Sequence, residues 1–197
     1  MRVGALRKLS LLDFPGRPSA VVFTQGCDWR CAYCHNAFLL PHESSGPLVS
    51  WEEVRSFLEG RKGLLQGVVF CGGEPTLQED LPARAAEVAS LGFAVKLDTN
   101  GSHPERLAET LPFLSYVAMD LKAPFGEAYD RVCGGSVDQD AVKRSMALLR
   151  ASKVPYHFRT TLRPGLLSPE EEQAIRGLLL PDEAYIVTTA REEEWGS

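Results

Sequence analysis

The 197-residue chain has few cysteines, no run of basic residues and no long apolar stretch. Each shortage excludes something. The 21 lysines and arginines are dispersed, and with 26 acidic residues the formal net charge is −5. Nothing attracts a polyanion in general, so nucleic acid is not an expected partner. No apolar run approaches the roughly 20 residues of a membrane helix, so no membrane association is expected. The opening MRVGALRKLSLLDFPG has basic residues and leucines but no uninterrupted apolar core and no small-residue cleavage site. It does not read as a secretory leader, and the chain reads as cytoplasmic. There is no internal repeat and no low-complexity tract. The 44% hydrophobic content suffices to bury a core, and the expectation is one domain over 1–197, its core at about 18–190 behind an N-terminal extension, 1–17. Five cysteines are an odd number, too few and too uneven for a disulfide framework. Three of them crowd into GCDWRCAYCHN, 26–36, and such a cluster points to metal or redox chemistry.

Around that cluster the sequence alternates two periods. Short β-rich runs fall at Ala20 to Thr24, Gly67 to Cys71, Phe93 to Leu97, Tyr116 to Asp120, Tyr156 to Thr161 and Ala184 to Thr189. Most are nearly continuous apolar runs, as strands buried on both faces should be. Between them lie helical patterns: Ser50 to Gly60 with a capping box from Ser50 and Glu53, Glu79 to Leu91, Ser136 to Ser152, and a segment opened by Ser168, Pro169 and Glu171. Six strands alternating with helices imply right-handed βαβ units and a parallel sheet. Eight units would close a barrel and take about 250 residues, so the expected fold is α/β, a partial (β/α)6 parallel barrel, laterally open. The polar motifs all follow strands. GCDWRCAYCHN follows the first, GGEPT (72–76) the second, DTNGS (98–102) the third, Asp-Leu-Lys (120–122) the fourth and RTTLRPG (159–165) the fifth. They should converge on one rim.

Cys27, Cys31 and Cys34 are spaced C-x3-C-x2-C. Three thiolates on one loop can hold three irons of a 4Fe-4S cluster. No fourth cysteine follows, since His35 and Asn36 come next, and one iron would be left open to bind a second molecule. The alternative is a structural zinc site that adds His35, although adjacent Cys34 and His35 fold back on one tetrahedral ion with difficulty. Cys71 ends a buried strand and reads as a small core residue, and Cys133 lies in a Gly-rich turn. His42, His103 and His157 read as structural, and Glu192 to Glu194 as a solvated tail.

GCDWRCAYCHN followed by GGEP resembles the radical S-adenosylmethionine (SAM) superfamily. The resemblance implies a partial parallel barrel, a 4Fe-4S cluster held by Cys27, Cys31 and Cys34, and SAM bound through its amino and carboxylate groups at the open iron. Reductive cleavage of SAM would then yield methionine and a 5′-deoxyadenosyl radical. FTQGCDWRCAYCHN, LLDFPG, GGEPTLQ, DTNGS, AMDLKAP and RTTLRPG are similar to the activating enzymes of glycyl-radical enzymes, the anaerobic ribonucleoside-triphosphate reductase group above all. By that resemblance Gly72 and Gly73 let the backbone approach SAM, and Glu74 accepts from its ammonium. Asp98 and Asp120 reach the amino group or pair with a nearby base, and Lys122 meets the carboxylate. Arg159 contacts carboxylate or adenosine, and Tyr33 lies against adenine or over the cluster. The expected partners are a glycyl-radical enzyme and a flavodoxin or ferredoxin donor, because no second cysteine-rich insertion supplies electrons internally. Such relatives generally continue past the point where AREEEWGS ends, and a shortened last wall would suit a protein loop as substrate. A small-molecule radical SAM enzyme such as a 7-carboxy-7-deazaguanine synthase is the other enzymatic reading. An iron-sulfur electron carrier or a zinc-stabilised interaction domain is the non-enzymatic one.

Overall fold

The computed structural model describes residues 1–190, so the acidic run Glu192 to Glu194 lies outside the described residues. Seven strands form one sheet in sequence order, β1 (Val3–Ser10), β2 (Ser19–Thr24), β3 (Gly67–Gly72), β4 (Ala94–Thr99), β5 (Tyr116–Asp120), β6 (Tyr156–Leu162) and β7 (Tyr185–Thr189). β2 to β7 are all parallel, as expected of six strands joined through helices. β1 and β7 are the two ends of the order and do not pair, so the barrel is open between them.

The N-terminal segment departs from the expectation. Residues 3–10, placed outside the core by the sequence reading, form β1 and pair antiparallel with β2, Arg7 opposite Val21. VGALRKLS carries few β-formers and exposes Arg7, Lys8 and Leu9, so propensity gives no strand there. It is an edge strand held by pairing, and its charges suit an edge.

The helices cover the outer face of the sheet. These are α1 (Trp51–Glu59), α2 (Leu81–Ser90), α3 (Pro104–Thr110), α4 (Glu127–Cys133), α5 (Gln139–Ala151) and α6 (Pro169–Arg176). The expected capping boxes close on α1 through Ser50 and Glu53 and on α6 through Ser168 and Glu171. α5 starts three residues later than read, because the Asp138 side chain accepts from Ala141 N–H and caps it there. Strand alternation assigns Val22, Val68, Phe70, Val95, Leu97, Val117, Met119 and Phe158 to the main core under the helices.

The opposite, inner face is layered. Phe14, Val21 and Val69 form a small apolar cluster with Phe23, Cys71, Ala94 and Tyr116, while Lys96, Asp98, Asp120 and Arg159 lie further along the same face. Phe14 comes from the turn between β1 and β2 and is 3% exposed, its ring 6.3 Å from that of Tyr116. It fills the amino-terminal end of the barrel, which leaves the carboxyl end for polar groups. Phe14→Ala is expected to cost about 3 kcal/mol of stability, seen as a lower thermal midpoint. An unchanged midpoint would contradict the filling role.

Candidate active site

Every residue nominated from the sequence borders one cavity of about 520 Å³ at the carboxyl ends of the strands. Cys27, Cys31, Tyr33 and Cys34 reach it from the loop after β2, Gly72, Gly73 and Glu74 from the end of β3 and the loop after it, and Asp98, Asp120, Lys122 and Arg159 from β4, β5 and its following loop, and β6. Parallel strands in register bring this about, since β3, β4, β5 and β6 all end on the same rim.

The cysteine loop leaves β2 at Thr24 and is pinned at both ends. Gly26 N–H bonds to Leu39 C=O at 2.8 Å and Cys27 N–H to Leu40 C=O at 3.1 Å. Midway, Arg30 N–H bonds to Cys133 C=O at 2.9 Å and Ala32 N–H to Val132 C=O at 3.1 Å. The loop thus rests on the carboxyl end of α4. Gly134 permits this contact, because it takes the left-handed conformation at φ 80° and a β-carbon there would collide with the Arg30 carbonyl. Trp29 packs edge-on against Tyr129, ring centroids 5.9 Å apart. Cys133 is the last residue of α4, where the sequence reading placed a turn.

Five charged side chains alternate across the floor. Lys96 pairs with Asp98, and Asp98 also meets Arg159 Nη1 at 3.2 Å. Arg159 Nε donates to Asp120 at 2.7 Å, and Lys122 Nζ donates to the other Asp120 oxygen at 2.7 Å. Pairing with nearby bases, one of the readings open for Asp98 and Asp120, is seen for both. Burial alone would raise the Asp120 carboxyl, but Arg159 and Lys122 outweigh it and hold it well below the usual carboxylate range. Burial likewise works against the Lys122 ammonium, and Asp120 more than restores it. The network sums to one net positive charge, with Lys122 and Arg159 both facing the cavity.

Glu74 has another task besides the one expected of it. It is 1% exposed, and its carboxylate accepts from Thr76 N–H, Thr76 Oγ1, Thr99 Oγ1 and Asn100 N–H at 3.0, 2.5, 2.6 and 2.8 Å. Three of these bonds fall on Oε1 and one on Oε2, so Oε2 keeps a place for a further donor. Glu74 staples the loop after β3 to the loop after β4. Beside it, Gly73 is a true close approach, because a β-carbon there would run into the Gly26 carbonyl.

The thiols differ from one another. Burial pushes Cys27 up to about 12 and raises Cys34, while a hydrogen bond with Cys133 brings Cys31 down to about 7. The Tyr33 hydroxyl is buried without a hydrogen-bond partner, its ring 5.7 Å from Lys122 Nζ. Among the described residues no three His, Cys, Asp or Glu side chains are arranged to hold a single metal ion. Three thiols facing one cavity, an orphaned hydroxyl and a glycine cradle fit a larger thiolate-bound group.

Some participants escaped the sequence reading. Lys96 was overlooked, although a lysine in FAVKLD two places before Asp98 puts both on the inner face of a strand. Cys71 borders the same cavity. His103 Nε2 sits 2.7 Å from Asp28, within the cysteine loop, and His42 lies 3.8 Å from the same carboxylate. His157 meets the Tyr116 hydroxyl at 3.1 Å.

A thiol-lined cavity at the rim of a partial parallel barrel defines a class, that of enzymes which build their chemistry on a cysteine loop after the first barrel strand. The chain belongs to the radical SAM superfamily, whose family model matches residues 21–178. It is 32% identical over 192 residues to a Methanocaldococcus jannaschii protein provisionally named a glycyl-radical enzyme activating enzyme, covering 94% of this chain and 78% of that one. It is 30% identical over 139 residues to the pyruvate formate-lyase-activating enzyme of Clostridium pasteurianum, covering 68% of this chain and 57% of the relative. In fold it is similar to the Streptococcus suis enzyme SuiB bound to its precursor peptide SuiA, with a TM-score of 0.67 at 18% identity over 87% of this chain and 39% of that chain. The protein is therefore a radical SAM enzyme, and membership implies a 4Fe-4S cluster and SAM as its cofactors. No helix among the described residues is long and apolar enough to cross a membrane.

Proposed function

We propose that this enzyme activates a glycyl-radical enzyme, with an anaerobic ribonucleoside-triphosphate reductase as partner and a cytoplasmic flavodoxin or ferredoxin as electron donor. The observation that carries the reading is the open side of the sheet. Among the described residues no strand joins β1 to β7, and such a gap suits access by a glycine on a large partner. The names of the two relatives above support it. When bound, the reduced cluster supplies the electron that splits SAM into methionine and the 5′-deoxyadenosyl radical that takes the glycine hydrogen.

The chain's own residues do the holding. Cys27, Cys31 and Cys34 are three ligands on one loop, leaving one iron for SAM. Gly72 and Gly73 present backbone to the ligand, while Glu74 fixes that backbone from behind. Lys122 and Arg159 face the methionyl carboxylate, Asp98 and Asp120 keep both cations oriented and offer acceptors to the ammonium, and Tyr33 forms the wall beside them. The pairing within the network means that SAM meets charges already fixed in place, at little cost in ordering.

The test is anaerobic reconstitution with iron and sulfide, reduction, and addition of SAM with and without the candidate partner. 5′-Deoxyadenosine and a glycyl radical signal on the partner by electron paramagnetic resonance are expected. SAM cleavage without a glycyl radical on any partner tried would overturn the activase reading in favour of a small-molecule reaction such as 7-carboxy-7-deazaguanine synthesis.

A further inference from the structure

Of the five charged side chains on the floor, Lys96 alone does not border the cavity. It is 3% exposed, and in register it lies beside Val69 of β3 and Tyr116 of β5, both part of the apolar cluster at the amino-terminal end of the barrel. A lysine at that level is costly unless its ammonium is paired. Lys96 Nζ donates to one oxygen of Asp98, and Arg159 Nη1 donates to the other. The lysine thus works from behind, through a carboxylate that does border the cavity.

The charges on this floor do not balance. Asp98 and Asp120 meet Lys96, Arg159 and Lys122, which leaves one positive charge. Without Lys96 the other four would cancel. Elsewhere on the wall Arg7 and Asp13 pair with each other at 3.3 Å, while Glu74 takes its bonds from Thr76, Thr99 and Asn100, none of them a cation. The cavity therefore has a positive pole on β4 to β6 and a negative one after β3, an arrangement that suits an amino acid zwitterion. His157, on the same inner face through Ala118 and Asp98, feels the first pole. Burial, then Lys96 and Arg159, push its imidazole below the ordinary value.

We propose that Lys96 is a positioning residue for the carboxylate end of the site: by neutralising Asp98 from behind, it leaves Arg159 and Lys122 a surplus positive charge with which to hold the ligand's carboxylate. The proposal rests on the reading of this cavity as the SAM site. Losing one charge at this depth, in surroundings of effective dielectric near 20, should weaken SAM binding about tenfold.

The probes are SAM and 5′-methylthioadenosine, an adenosine thioether without the amino acid portion, in equilibrium dialysis against anaerobically reconstituted, unreduced chains. Lys96→Met removes donor and charge, Lys96→Gln keeps a donor without the charge, and Lys96→Arg keeps both. Lys96→Met combined with Asp98→Asn removes one charge of each sign, which restores the surplus while the amide still offers an acceptor. All chains are expected to hold a full complement of iron. The Met and Gln chains should bind SAM about tenfold more weakly than the wild type and methylthioadenosine equally well. The Arg chain and the double variant should recover most of the loss. Unchanged SAM affinity in the Met and Gln chains, an equal loss for both probes, or a double variant weaker than Lys96→Met overturns the proposal. If Lys96→Met fails to fold, with Asp98 buried beside an apolar side chain, the Gln and Arg chains decide the question by the same comparison. A wild-type chain that bound SAM no more tightly than methylthioadenosine would remove the SAM reading of the cavity itself, and the role of Lys96 with it.

Discussion

Anaerobic reconstitution of the Cys34→Ala chain is expected to give protein with almost no bound iron or sulfide and no iron-sulfur absorption, and the same for Cys27→Ala. Each replacement removes one of three thiolates from a loop whose backbone is already fixed, and no other cysteine can take its place. Cys71 lies on β3 and packs against the Phe14, Val21 and Val69 cluster, and Cys133 is 1% exposed in the main core at the end of α4. The loss should far exceed the roughly 10–100-fold that removing a supporting hydrogen-bond partner costs a metal site. Cys71→Ala is the control. Its thiol is buried and pushed up to about 12 by that burial, as befits a packing residue, so this chain should reconstitute like the wild type. If Cys71→Ala also lost the cluster, or if Cys34→Ala kept a four-iron spectrum, the assignment of ligands would be wrong.

Arg159→Leu is expected to be the most damaging change outside the cysteine loop. It removes the cation that bridges Asp98 and Asp120, whose side chains are 8% and 18% exposed, and leaves two buried carboxylates with one lysine each. Breaking a buried pair costs about 3–5 kcal/mol, and the open cavity side argues for the lower end, about 3 kcal/mol. For a chain of this length that is roughly 6–12 °C in the thermal midpoint. SAM affinity should fall in the same variant, because one of the two cations facing the cavity is gone and Asp120 is left to neutralise Lys122 by itself. Calorimetry and equilibrium binding of SAM to the reconstituted chain would read both. A midpoint within about 1 °C of wild type would show the network to be ornamental.

Acid should probe the same network without mutation. Asp120 is held below its unfolded value, so its contribution to stability is complete above the ordinary carboxylate range near 3.9 and is lost as pH falls through and below that range. The Arg159→Leu chain, having already lost much of that contribution, should show a flatter dependence of stability on pH across the acid range.

What could be read from the sequence divides along a physical line. The parallel strands were legible because burial on both faces makes their residues apolar almost throughout, and the motifs at their ends were legible because each is contiguous. The cysteine loop is the extreme case, with all its thiols within eight positions. β1 was missed because an edge strand needs only one partner and can carry charge. The stapling task of Glu74 was not legible because its four donors come from Thr76, Thr99 and Asn100, and the last two reach it only once β3 and β4 are in register. Cys133 illustrates the limit most clearly. Its own neighbourhood, VCGGS, gives no hint of the cysteine loop, and the bond from Arg30 N–H to its carbonyl exists only because α4 ends where the loop passes.

The strict strand order has a consequence for biogenesis. Each strand pairs with the one made just before it, so the sheet can grow from its N-terminal edge as the chain leaves the ribosome, with little long-range searching. The helix end that backs the cysteine loop is synthesised about a hundred residues after it. At ordinary elongation rates Cys31 waits roughly 5–20 s for Cys133. During that interval β3, β4 and β5 join the sheet from which the loop hangs, but the helix end that bonds Arg30 and Ala32 is still missing. The arrival of α4 is what completes the backbone support of that loop.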